Sequence, residues 1–218
     1  MSVLVFVEIK DKLSKAVQEA ITYGKSLGKV TLLTYGDVSD SVLLETGNFG
    51  AEHVLICKNI RERNEQLLSQ LIVNAVKKYN CEYIILSQDQ TGKAVAPRVA
   101  ANLEAGHISG AISFPENTDE FTVKTNVFSG KAIAFVSVHT PIKVISILPN
   151  SIPPKENKTT ASISEFNEDL GEARIKVKEL KPLGDGIPLP EAELVVSAGR
   201  GLKGPENWGI VEELANSL

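Results

Sequence analysis

Up to about residue 105 the sequence alternates between two hydrophobic periods, and nothing else in it restricts the fold as tightly. Val3 to Val7 is a continuous apolar run of the β kind. Leu13, Ala16, Val17, Ala20, Ile21 and Leu27 then repeat at three- and four-residue spacing, and Gly28 supplies a stop. Val30 to Tyr35 predicts a second strand, Ser41 to Thr46 a short helix before Gly47, and His53 to Cys57 a third strand. Leu67, Leu68, Leu71, Ile72, Ala75, Val76 and Tyr79 outline a longer helix ending near Asn80. Glu82 to Leu86 is a nearly unbroken apolar run, as expected of a strand buried on both faces. Repeated βα units of this length predict an α/β fold: a mostly parallel, doubly wound sheet with right-handed crossovers and helices on both sides.

Beyond Gly106 the rhythm changes. His107 to Ser113, Phe121 to Val127, Ala132 to Val138 and Ile142 to Leu148 are β runs with no room for helices between them. They read as antiparallel strands added to the parallel sheet or packed beside it. Pro149, Pro153, Pro154 and the polar run 155–160 make a connector, after which Ile163 to Phe166 and Ala173 to Leu180 are candidate further strands. Pro182, Gly184, Gly186, Pro188 and Pro190 form a second linker. The predicted division is an N-terminal α/β domain with its linker over residues 1–188 and the opening of a second α/β domain over residues 189–218.

That opening is a compact sentence of its own. An apolar run, Leu194 to Ala198, meets glycines at 199, 201 and 204, and Pro205 and Glu206 then mark a helix start. Trp208, Val211, Leu214, Ala215 and Leu218 fall on one helical face. Strand, glycine turn and helix N-terminus in that order favour a bound anion, because backbone N–H groups and the helix dipole point the same way. Gly199-x-Gly201-x-x-Gly204 also satisfies the dinucleotide fingerprint formally and alone would point to NAD; the acidic partner that this fingerprint places about 20 positions further on falls past Leu218. A second polar, glycine-containing segment, residues 87–93, follows the fourth strand. It reads either as a nucleotide loop at a strand's carboxyl end or as a solvated turn capping a helix; its lone Gly92-Lys93 pair lacks the rest of a P-loop. Pro97 falls inside the next helical pattern and predicts a bend or a late start.

Composition and the remaining motifs exclude more than they propose. With 23 basic and 27 acidic residues the formal charge is −4, and no basic excess exists to displace counterions from a nucleic acid. The content of 43% hydrophobic and 23% charged residues is that of a soluble globular protein. Ala132 to Leu148, the longest apolar region, is broken by His139, Pro141 and Lys143 and reads as two strands rather than a membrane span. The N-terminus enters a strand directly, without a targeting signature, so a cytoplasmic location is expected. Cys57 and Cys81 each sit in a β run and read as buried thiols, with a disulfide as the other reading. His53, His107 and His139 lack ligand spacing, so no metal site is expected. No nucleophile elbow, zinc-protease motif or activated cysteine occurs, and no catalytic residue is assigned. Chemistry, where present, belongs to a cofactor.

Three runs carry a resemblance. VVSAGRGLKGPENWGIVEELA resembles the opening of the flavin domain of electron transfer flavoprotein α subunits, while TGKAVAPRVAANLEAGHISGA and SGKAIAFVSVHTPIKVISILPNSIP resemble that family's first domain, in the right order and at the right separations. The resemblance implies an FAD-dependent electron carrier of fatty acid oxidation, not an enzyme with its own substrate. It implies a heterodimer with a β subunit, taking electrons from acyl-CoA and related dehydrogenases and passing them to a membrane quinone reductase. It also implies that Arg200, flanked by Gly199 and Gly201, contacts the flavin. A guanidinium on a glycine turn suits the negative charge of a reduced flavin, although a plain surface arginine is the other reading. Family α subunits continue for about another domain beyond the position of Leu218, and that part wraps most of the FAD. The chain alone is therefore expected to hold FAD poorly, and an α/β nucleotide-binding or subunit-scaffold domain without redox activity is the alternative.

Overall fold

The computed structural model describes residues 1–116, 120–179, 189, 192 and 194–218. The chain divides into two compact units, residues 1–180 and 181–218. The boundary expected near residue 188 and the Pro/Gly linker around it lie outside the described residues.

The first unit is built on one sheet. Its strands are β1 (Ser2–Phe6), β2 (Lys29–Tyr35), β3 (Ala51–Cys57), β4 (Tyr83–Ser87), β5 (Gly106–Ala111), β6 (Thr122–Val127), β7 (Ala132–Ser137), β8 (Lys143–Ile147) and β9 (Ser162–Glu165). Their order across the sheet is β7-β6-β5-β8-β4-β1-β2-β3-β9. Helices α1 (Lys15–Leu27), α3 (Glu65–Tyr79) and α4 (Gln90–Leu103) cover its two faces, and α2 (Asp40–Glu45) leads into β3. β1 shows how the pattern is cashed out in packing. Val3 and Val5 point into one core with Val17, Ala20 and Ile21 of α1, whereas Leu4 and Phe6 point into the other with Leu68, Leu71 and Ile72 of α3 and Val95 and Val99 of α4. A strand buried on both faces has no polar alternation to show, as its sequence lacks one.

The helices start and stop where local chemistry dictates. Ser14 caps α1 by accepting the Val17 N–H, and Asn64 caps α3 by accepting those of Gln66 and Leu67. Asn80 and Glu104 end α3 and α4 in the left-handed region. Pro97 sits within α4, which nevertheless begins seven residues earlier at Gln90, not late.

Two expectations about the later strands are corrected. β8 does not join an antiparallel group: it lies between β4 and β5 and is parallel to both, pairing Ile145 with Ile85 and Ile108. Its Val144, Ile145 and Ile147 are buried, a central-strand environment that an antiparallel edge cannot provide. Antiparallel pairing is confined to β5-β6 and β6-β7. Residues 173–179 form no strand: β9 already takes the place beside β3, and Arg174 and Ile175 bond instead to Asn64 and Gln66 at the start of α3.

The second unit holds two short 3-10 turns, Arg200–Leu202 and Pro205–Asn207, and then α5 (Gly209–Ser217). The helix half of the expected βα unit is thus present, starting four residues after Pro205. Leu194 to Ala198 has no ladder pairing among the described residues, since a strand without a neighbouring strand has nothing to bond to.

Candidate functional site

At the carboxyl ends of β1, β2 and β4 a polar knot fills the place where open parallel sheets receive ligands. Glu8, just past β1, accepts on one carboxylate oxygen from the Tyr35 hydroxyl at 2.7 Å and the Thr91 hydroxyl at 2.9 Å. Burial, and next that hydrogen bond, push the Tyr35 hydroxyl far above the ordinary tyrosine range. Asp89 caps α4 by accepting the Gly92 N–H at 2.8 Å; burial pushes its carboxyl up, opposed by the bonds it accepts. Arg63 pairs with Glu65 at 2.8 Å and reaches Gln90, holding the Glu65 carboxyl down.

This arrangement gives the 87–93 segment a capping role. The N–H groups that would cradle a phosphate are engaged by Asp89, and two carboxylates stand where the anion would go. A Cβ on Gly92 would run into the Ser87 carbonyl oxygen, so strand and helix already touch backbone to backbone. About 10 Å³ is left among Glu8, Ser87, Asp89 and Thr91, room for one water at most. The segment serves here as the cap of α4. The knot itself was not anticipated from sequence, because Glu8, Tyr35 and Thr91 are 27 and 83 positions apart and share no motif.

In the second unit the turn around Arg200 is differently made. Gly199 lies in extended backbone and precedes Arg200, whose exposed side chain sits in a concavity of about 330 Å³ with Leu202, Lys203, Pro205 and Trp208. The N–H groups of Leu202, Lys203, Gly204, Asn207 and Trp208 all bond to carbonyls within the turn. Those five N–H groups are taken up within the turn, and the Arg200 side chain stands exposed beside them. Gly199 and Gly201 have open space where a Cβ would stand, and it is Lys203 that takes the left-handed conformation. Glycine at 199 and 201 is thus not demanded by the turn's own packing. The apolar residues 194, 208, 210 and 214 stay exposed, and no residue of α5 is buried.

The histidines are dispersed as their spacing predicts. His53 bonds to Ser162 and His107 to Ser146, while His139 is exposed. Both cysteines are free and buried, and burial raises the Cys81 thiol. Among the described residues no cluster of metal-ligating side chains gathers, and no helix is long and apolar enough to cross a membrane.

Comparison with known sequences covers the residues of the sheet. The family model for the electron transfer flavoprotein domain matches residues 3–170, from β1 through β9. The electron transfer flavoprotein subunit alpha of Bacillus subtilis (strain 168) is 30% identical over 225 residues, covering 99% of this chain. This chain belongs to the electron transfer flavoprotein family. Its similarity is to α subunits throughout: the probable mitochondrial subunit alpha of Caenorhabditis elegans is 28% identical over 95% of the chain, and the subunit alpha of Pseudomonas aeruginosa 26% identical over all of it. The chain spans 69%, 63% and 71% of the lengths of these three electron transfer flavoprotein relatives. The domain match ends at residue 170, so the Arg200 turn is covered by the relatives alone.

Proposed function

We propose that this chain supplies the first domain, and through residues 189–218 the first edge of the flavin pocket, of a heterodimeric FAD-dependent electron carrier. The observation that carries the reading is the continuity of α-subunit similarity past the sheet and through the Arg200 turn, to 99% of the chain. The cofactor supplies the redox chemistry; this chain's residues position and bias it. Arg200, exposed between Gly199 and Gly201, is the residue that would bring a guanidinium to the flavin edge, where positive charge favours the reduced form. The concavity of about 330 Å³ beside Arg200 would take only part of so large a group, and on this reading residues 1–218 by themselves hold FAD weakly. The carrier works in the cytoplasm between acyl-CoA and related dehydrogenases and a quinone reductase, and has no substrate of its own.

The partner is a β subunit. Among the described residues β7 is an edge strand bonded only to β6, and its side chains Ile133 and Phe135 are exposed together with Phe128 at the hairpin tip. Phe128 and Ser129 both take left-handed backbone there, an uncommon conformation for a bulky residue. An unpaired apolar edge of this kind is suited to a second chain.

Four measurements test the reading. The purified 218-residue chain is expected to lack stoichiometric flavin absorbance, and a full flavin spectrum would refute the incomplete-pocket view. The chain carried to its relatives' full length and co-expressed with a β subunit is expected to bind FAD. In that complex Arg200→Ala lowers the flavin's reduction potential, whereas an unchanged potential removes Arg200 from the site. Phe135→Asp is expected to abolish the heterodimer while leaving the sheet folded.

A further inference from the structure

α3 and α4 lie against each other on one face of the sheet, and their last turns flank an open groove of about 510 Å³. Glu82, just ahead of β4, and Ile142, just ahead of β8, complete its walls. The floor is apolar. Val76 and Cys81 are buried there, and Leu103 and Ile142 are half-buried against the same core. The Cys81 thiol is engaged with the Ser2 hydroxyl at 3.5 Å.

The rim has the opposite character. Glu82 and Glu104 both line the groove, exposed and without an ion pair among the described residues. Both helices end beside them. Asn80 and Glu104 turn into the left-handed region, and the N–H groups of Cys81 and Ala105 reach back to the Val76 and Ala100 carbonyls. The final carbonyls of each helix are left without a helical partner, and these are the negative ends of two helix dipoles. Against this stands one cation on the rim, Lys77. Lys78 is drawn off to Glu168 at 2.8 Å. Lys143, beside Ile142, donates to the Thr140 carbonyl at 2.9 Å and lies over the rings of Tyr83 and Phe121, which belong to the core on the other face of the sheet.

We propose that this groove is a docking site for a basic segment of a partner protein. A lysine or arginine side chain of that segment lays its aliphatic stem along Val76, Leu103 and Ile142 and keeps its charged head at the rim. Charge complementarity selects this occupant. An acidic segment would face Glu82, Glu104 and both helix ends, and a purely apolar one would cover the carboxylates without offering them a counter-charge. A long cationic side chain answers floor and rim together, because its stem buries apolar surface while its head stays wet. The inference concerns the first unit alone and does not rest on the flavin reading.

The probe is the peptide acetyl-Leu-Arg-Leu-Arg-Leu-amide, titrated into the 218-residue chain and followed by amide NMR shifts. Shifts are expected to gather at residues 76–82, 102–105 and 141–143 and to saturate. The citrulline counterpart, which keeps the shape and loses the charge, binds about tenfold more weakly, as two rim-exposed charge contacts would give. Glu82→Gln combined with Glu104→Gln, both at exposed positions, weakens the arginine peptide by about the same tenfold factor and leaves the citrulline peptide unchanged. Lys77→Gln tightens the arginine peptide, and added salt loosens it. Equal binding of the two peptides, shifts that fail to saturate or gather elsewhere, or indifference to the double variant overturns the proposal. So does n-hexylammonium binding as tightly as the arginine peptide, which would make the groove a site for a small amine and not for a protein.

Discussion

Two helices with similar apolar spacing end in opposite circumstances. α3 buries Leu68, Leu71, Ile72, Val73, Ala75 and Val76 between the sheet and α4, whereas α5, with Val211 and Leu214 at the same kind of spacing, buries nothing. Periodicity specifies a helix and the face it presents; a partner surface decides whether that face is worth anything to stability. The first unit supplies such surfaces from within itself. The second carries the pattern of an element meant to be covered, without the cover.

That contrast can be broken experimentally, and the largest effect comes first. Leu71→Ala, at a fully buried position, is expected to lower stability by about 2–5 kcal/mol. Leu214→Ala on α5 should stay within about 0.5 kcal/mol in the same thermal melts. Equal costs would mean that α5 is covered in solution after all.

The glycines sharpen the same comparison. Gly92→Ala drives a methyl into the Ser87 carbonyl oxygen, where both atoms belong to backbone and neither side yields; a loss of about 1–3 kcal/mol is expected in denaturant titration. Gly201→Ala meets nothing and should be silent in that assay. A measurable cost at Gly201 would show that the isolated turn is tighter than its surroundings imply.

A smaller effect tests how completely the first unit satisfies its own interior. Glu19 is buried on α1, with one carboxylate oxygen accepting the Asn150 N–H at 3.0 Å and the other without a partner among the described residues. Burial raises its carboxyl above the usual range. A raised folded-state value means its contribution is fully present below the unfolded pKa and is lost as pH rises through the folded one. Glu19→Gln is therefore expected to be nearly neutral near pH 4 and stabilising by about 1 kcal/mol near pH 7, read from unfolding curves at both. Equal shifts at the two pH values would mean that the carboxyl is charged and satisfied throughout.

Much of the first unit could be read ahead of its structure. The βα alternation is written in the residues that fill the core, so β1 to β4 and α1, α3 and α4 follow from Val3 to Leu103. β8 was misjudged because a β run does not state its neighbours: Val144 to Ile147 look the same whether paired parallel or antiparallel. The knot of Glu8, Tyr35 and Thr91 was invisible for a related reason, since only the sheet order brings them together. Arg200 stood out through the resemblance of its flanking run, and the turn's internal hydrogen bonds, which take up N–H groups expected to face an anion, follow from dihedral choices at Lys203 that glycine spacing misdirects.

The seating of β8 between β4 and β5 also orders events at the ribosome. β4 is finished at residue 87 and β5 at residue 111, yet neither can close its inner edge until residues 143–147 arrive. A nascent chain passes through a stage in which two apolar strand edges wait open for a segment not yet made, with the β6-β7 hairpin synthesised in between. Such edges are where chains pair with the wrong neighbour. Slowed translation between residues 111 and 143 lengthens that exposure, whereas the same delay after residue 147 comes when the middle of the sheet is already shut.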